Sequence, residues 1–186
     1  MSMLWNEMSS SHAKERQFER RGRVLVVDDE AAICAALSHA LRKFGHEVDI
    51  ASDGKEALLK VANAGPWDVA ICDVCMPGID GMEFLARALE IDPRIRVVMM
   101  TGYASIDTAV TAIKLGAADY LTKPFDDIFE VCRAVIGDAV EHSVRARTGM
   151  VPALPSEDAH DVDMFEGMVG TTLGMRRLFG MLDEVS

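Results

Sequence analysis

No apolar run in this chain approaches the roughly 20 residues that a helix needs to cross a bilayer, so no membrane contact is expected. The first residues, MSMLWNEMSSSHAKERQFERR, are polar and lack the apolar centre of a secretory signal. There is no basic patch or Lys/Arg-rich stripe, and the net charge is −11, so the chain alone is not expected to bind DNA. Cysteine is scarce. Cys34, Cys72, Cys75 and Cys132 lie in or beside apolar segments. They read as buried thiols of a cytoplasmic protein rather than as a disulfide framework. Cys72-x-x-Cys75 stands alone and flanks Asp73, which is weak support for a redox or metal pair.

What is present is a regular alternation. The 186 residues, 49% hydrophobic, suit one full domain with appendages. Residues 1–22 read as a disordered extension. From Arg23, short apolar strands alternate five times with helices. The strands run through Val27, over Glu47–Ile50, Asp68–Cys72, Arg96–Met100 and Asp119–Thr122. Asp53 with Glu56, and Asp80 with Glu83, read as helix-capping pairs. Ser105 opens a helix whose Ile106, Ala109, Val110 and Ile113 are expected to face inward. Such alternation predicts a parallel sheet with helices on both faces.

Each strand but the second ends on a chemically useful residue. Asp28 and Asp29 follow the first, Asp73 the third, Thr101 the fourth and Lys123 the fifth. In open α/β sheets, chemistry gathers at the carboxyl ends of the strands. Three crowded carboxylates repel one another, and hard oxygen donors with water favour Mg²⁺. A carboxylate can accept a phosphoryl group as a nucleophile, and Asp73, alone at its strand end, is the best candidate. Lys123 and the Thr101 hydroxyl suit phosphoryl oxygens. Singly, each residue has an ordinary explanation as a turn, a cap or a solvated strand end. The joint pattern is what carries the argument.

The stretches VLVVDDE, DVCMPGIDG, MMTGYAS and YLTKPF resemble the signatures of the response-regulator receiver domain of two-component signalling, over roughly residues 23–140. The resemblance implies a flavodoxin-like (βα)5 fold of strand order 2-1-3-4-5, with residues 23–125 as its core. It implies phosphotransfer from a sensor histidine kinase to Asp73. It implies Mg²⁺ held by Asp29, Asp73 and the backbone carbonyl of Cys75, with Asp28 assisting through water. Thr101 and Lys123 take the switch hydroxyl and phosphoryl-binding roles, and Tyr120 matches the switch aromatic that turns inward. Cys75 and Tyr103 flank the site and are expected to tune phosphoryl lifetime. Lys123-Pro124 matches a bond that is usually cis in that family.

Beyond the core, residues 126–147 read as an extended last helix. Its stripe Ile136, Val140 and Val144 runs past the expected end of the domain and suggests a homodimer surface. Residues 148–163 read as an acidic, Pro-containing linker. MVGTTLGMRRLFGMLDEVS resembles the start of the AAA+ ATPase domain of NtrC-type, sigma-54-dependent activators. No G-x-x-x-x-G-K-[ST] loop is present, so ATPase activity is not expected of this chain. The implied function is a phosphorylation switch that alters dimer packing to control a transcription-activating output. Alternatives are a stand-alone single-domain regulator, a receiver-like module without phosphotransfer, and a phosphatase of the haloacid-dehalogenase kind. The last would want two aspartates separated by one residue, whereas Asp28 and Asp29 are adjacent.

Overall fold

A computed structural model describes residues 21–103, 105–148, 163–165 and 168–170. Strand β1 (Arg23–Val27) leads to α1 (Ala31–Lys43), β2 (Glu47–Ala51), α2 (Gly54–Ala64), β3 (Val69–Asp73) and α3 (Gly81–Ile91). Then come β4 (Arg96–Thr101), α4 (Ile106–Lys114) and β5 (Asp119–Thr122). The last helix, α5, has three pieces: an α-helical turn Ile128–Val131, a π-helical stretch Cys132–Ile136 and an α-helical stretch Gly137–Thr148. A separate pair of short strands, β6 (Asp163–Phe165) and β7 (Met168–Gly170), is antiparallel. The main sheet is parallel with order β2-β1-β3-β4-β5, as expected.

Alternation along the strands divides the core into two layers. Leu25, Val27, Ala70 and Cys72 face α2, α3 and α4, where Phe84, Leu85 and Ala109 meet them. Val24, Val26, Val69 and Ile71 face α1 and α5. Central β3 is buried throughout, whereas β2 alternates between exposed and partly buried residues, as an edge strand does. The helix starts are locally encoded. Asp53 accepts from the Glu56 amide at 2.7 Å, Asp80 from Glu83 at 2.8 Å, and Ser105 from Thr108 at 3.1 Å. Each cap contributes about 1 kcal/mol.

Three expectations change. Cys75 is exposed, because it sits in the loop after β3 and not in the strand; the other three thiols are buried. Ile106 is exposed, since it lies on the first turn of α4, while Ala109 and Ala112 carry the buried contact. The third correction concerns α5. Ile136 and Val140 are buried in the chain's own core and Val144 packs at its edge, so this stripe is not an open dimer surface. Gly22 lets the chain run against Val140: a Cβ there would lie 2.5 Å from Val140 Cγ1.

A polar clasp holds the end of α5 down. Arg147 pairs with Asp68 at 3.3 Å and Asp92 at 3.2 Å, and donates to the Trp67 carbonyl. Ser143 Oγ donates to Asp68 Oδ1 at 3.1 Å. The helix therefore stays packed on its own domain past the point where the sequence had the stripe leave it. Residues 1–20, nearly all of the expected linker and nearly all of the AAA+-like segment lie outside the described residues.

Candidate functional site

Strand register brings the site together. Asp73 on β3 is level with Met100 on β4, and Thr101 is level with Thr122 on β5. The Val74 amide donates to the Met100 carbonyl at 2.8 Å, and the Lys123 amide to Thr101 at 2.7 Å. These bonds carry the ladder one step past the strands and hold their ends level. The Asp28 amide continues β1 in the same way, donating to the Ala51 carbonyl at 3.2 Å. All four expected positions thus reach one edge.

Asp28, Asp29 and Asp73 each present a carboxylate oxygen within 4.8 Å of the others. Asp28 is buried and Asp29 exposed. Asp28 Oδ1 accepts from the Glu30 amide at 2.8 Å, and its Oδ2 accepts from Lys123 Nζ at 2.7 Å. Lys123 Nζ also lies 3.1 Å from Asp73 Oδ1 and 3.4 Å from Glu30. The Asp73 contact is an ion pair by distance but not an aligned hydrogen bond: Asp73 Oδ1 is buried and accepts none. Asp73 Oδ2 accepts only from the Cys75 amide, at 3.1 Å.

Electrostatics follow from this arrangement. Burial raises the Asp73 carboxyl above its ordinary range and outweighs the opposing pull of Lys123, while Asp28 adds to the rise. Burial pulls the Lys123 ammonium down, but Asp28 and Asp73 overcome it and hold it at about 12. Lys123 is thus a fixed positive charge at neutral pH. Its first partner is Asp28, and Asp73 is left underpaired.

The hydroxyl side is equally specific. Thr101 is buried, and its Oγ1 accepts from the Tyr103 amide at 3.1 Å, which leaves its own O–H to donate. Tyr103 itself is 86% exposed, so its ring is in solvent and not packed within the site. Tyr120 is already buried, and its hydroxyl meets Thr108 on α4 at 2.9 Å. Burial raises its phenol, so it stays neutral. Lys123–Pro124 is cis.

Hard oxygens, one of them buried and without a hydrogen bond, fit a small divalent cation better than soft-metal chemistry. Cys75 offers its backbone beside them, and its thiol is exposed. Two features escaped sequence reading. Glu30 reaches Lys123, and Gly81 lets α3 start against β3: a Cβ there would lie 2.1 Å from the Asp73 carbonyl oxygen. The Asp80-Gly81 pair at the helix start was a visible signal for the second.

Comparison with known proteins decides the family. A model described as the response regulator receiver domain matches residues 24–134. The chain belongs to the response regulator receiver domain family. It is 37% identical over 163 residues to the transcriptional regulatory protein ZraR of Klebsiella oxytoca, covering 88% of this chain and 34% of that one. It is 37% identical over 142 residues to the transcriptional regulatory protein TcrA of Mycobacterium tuberculosis, covering 75% of this chain and 52% of that one. A CheY-like receiver domain protein from Methanospirillum hungatei superposes with a TM-score of 0.63 at 30% identity, over 68% of this chain and 99% of that one. The chain thus spans about a third to a half of the length of these curated relatives. As a receiver domain of a two-component response regulator, it has a phosphorylation switch as its general function.

Proposed function

We propose that Asp73 is the phosphoacceptor of this receiver and that a sensor histidine kinase is the donor. The observation that carries the reading is Asp73 Oδ1: buried, without a hydrogen bond, and 3.1 Å from a lysine ammonium. A carboxylate left underpaired in that way is a poor structural anchor and a good nucleophile. One of its oxygens attacks the phosphorus of a phosphohistidine. The P–O bond of an acyl phosphate forms and the P–N bond breaks. The departing imidazole nitrogen takes up a proton.

Asp28, Asp29 and Asp73, with the Cys75 carbonyl, would hold Mg²⁺. When bound, the ion offsets the negative charge that gathers on the phosphoryl oxygens. The chain's own groups do the rest. Lys123 supplies a permanent positive charge to the same oxygens, and Asp28 orients it. Thr101 turns its O–H onto a phosphoryl oxygen and gives up the Tyr103 amide. That withdrawal reshapes the β4–α4 loop, and Tyr120 with Thr108 passes the change to α4. Cys75 and Tyr103 border the phosphoryl group and set how readily water reaches it.

The output surface is then the α4–β5 face, where Tyr103, Ile106 and Leu115 remain exposed. Any change in dimer packing belongs to that face, since Ile136, Val140 and Val144 are engaged within the chain. Control of transcription is the physiological role that the two relatives support, both being transcriptional regulatory proteins; a sigma-54-dependent output of the NtrC type rests on the resemblance of the segment MVGTTLGMRRLFGMLDEVS. The protein acts as a phosphoacceptor in the cytoplasm rather than as an enzyme with turnover on a free substrate. Incubation with acetyl phosphate and Mg²⁺ is expected to add one phosphoryl mass to the wild-type chain and none to Asp73→Asn. An unmodified wild type would sink the reading.

A further inference from the structure

We propose that Gly54, at the start of α2, is a positioning residue for the phosphoacceptor, acting on Asp73 through Ile79 and Gly81. This inference rests on the reading of Asp73 as acceptor. A Cβ on Gly54 would lie 2.5 Å from the Ile79 carbonyl oxygen and 2.8 Å from Ile79 Cγ2. Ile79 belongs to the loop of residues 74–80, which also carries Cys75. Two residues on, a Cβ on Gly81 would lie 2.1 Å from the Asp73 carbonyl oxygen and 2.8 Å from Val74 Cα. The Gly81 amide closes the loop onto the Val74 carbonyl at 3.0 Å.

Neither glycine occupies the left-handed region that makes glycine necessary for conformational reasons. Space is the reason for both. α2 meets the 74–80 loop at the carbonyl and the side chain of Ile79, and the loop's far end meets the backbone of Asp73 and Val74. Backbone cannot swing aside as the tip of a long side chain can, and close-packed interiors transmit such displacements. α2 is fixed at its start by the Asp53 cap and further along by Ala57 and Val61 in the core. An added methyl group therefore displaces the loop rather than the helix. The loop has two holds on Asp73. One is the Gly81 contact with its carbonyl, and the other is the Cys75 amide on Oδ2 at 3.1 Å. Bulk at Gly54 thus turns the Asp73 carboxylate without touching it.

The test uses the full chain with acetyl phosphate and Mg²⁺, well below the melting temperature, with phosphorylation followed by intact mass. Gly54→Ala is expected to stay folded and to phosphorylate about tenfold more slowly, the scale that sub-ångström to ångström misplacement carries. Adding Ile79→Ala trims the Cγ2 contact and is expected to restore part of the rate. Gly137→Ala, where a Cβ meets nothing within 4 Å, is the control and is expected to leave the rate unchanged. A Gly54→Ala protein that phosphorylates at the wild-type rate, whatever its melting temperature, overturns the proposal. Should Gly54→Ala fail to fold alone, Ile79→Ala is compared with Ile79→Ala/Gly54→Ala. A slower double variant supports the proposal and equal rates overturn it. A wild-type chain that takes up no phosphoryl group overturns the reading of Asp73, and this inference with it.

Discussion

β3 carries an aspartate just before its first residue and another as its last. Asp68, at the amino edge of the sheet, has both oxygens engaged: Oδ2 by the Arg23 amide at 2.9 Å, Oδ1 by Ser143 at 3.1 Å and Arg147 at 3.3 Å. Asp73, at the carboxyl edge, has one hydrogen bond, and its buried Oδ1 has only the Lys123 ion pair at 3.1 Å, with no hydrogen bond. The side chains are identical and the surroundings opposite. At one edge the chain spends its donors on closure, and α5 is pinned. At the other a single ammonium, Lys123, is divided between Asp28 and Asp73, and one buried Asp73 oxygen keeps an ion pair without a hydrogen bond. Parallel strands place all their carboxyl ends together, which is why the sparsely paired edge is this one.

The contrast breaks most sharply at Asp73 itself. Asp73→Asn is expected to abolish phosphoryl uptake completely, while Asp68→Asn leaves it at the wild-type rate; intact mass reads both. Lys123→Ala comes next. It removes the charge shared by Asp28 and Asp73, and phosphorylation is expected to slow by about 100-fold, as for other losses of preorganised charge. Radiolabelled or mass-resolved time courses measure it. A smaller effect of the opposite kind is expected at the amino edge. Arg147→Ala removes a partly buried ion pair with two carboxylates and is expected to lower stability by about 2 kcal/mol in urea melts. Its phosphorylation rate should not move.

The smallest effect is in pH dependence. The folded-state value of Asp73 lies above the ordinary 3.8, so the folded state holds that proton more tightly than the unfolded chain does. Its contribution to stability is complete below 3.8 and is lost as pH rises through the raised value. Without Mg²⁺, Asp73→Asn should therefore gain in melting temperature relative to wild type as pH climbs from about 4 to 7. Added Mg²⁺ should narrow that gap by binding the wild-type carboxylates. A gap that shrinks with rising pH would contradict the electrostatic picture.

Much of this was legible in the residues. Apolar runs ending in Asp28, Asp73, Thr101 and Lys123 located the site edge, because a parallel sheet leaves such residues nowhere else to converge. Capping pairs at Asp53 and Asp80 located helix starts, because that chemistry is local. The fate of α5 was not legible. Periodicity shows that Ile136, Val140 and Val144 share an apolar face, but not whether the same domain or a second copy covers it. The answer lay in contacts distant in sequence, Arg147 to Asp68 and Gly22 to Val140. Tyr120 was legible as a site residue but not as one already inward, since its Thr108 partner sits on another element. Gly54 and Ile79 meet only in the folded chain.

The most direct measurement is the location of the phosphoryl group. The full chain would be treated with acetyl phosphate and Mg²⁺, reduced with borohydride to convert an acyl phosphate to a stable alcohol, and digested with trypsin. The modification is expected at Asp73, within the peptide Val61–Arg87. Modification of Asp28 or Asp29, in the peptide Val24–Arg42, or of no carboxylate at all, would contradict the assignment.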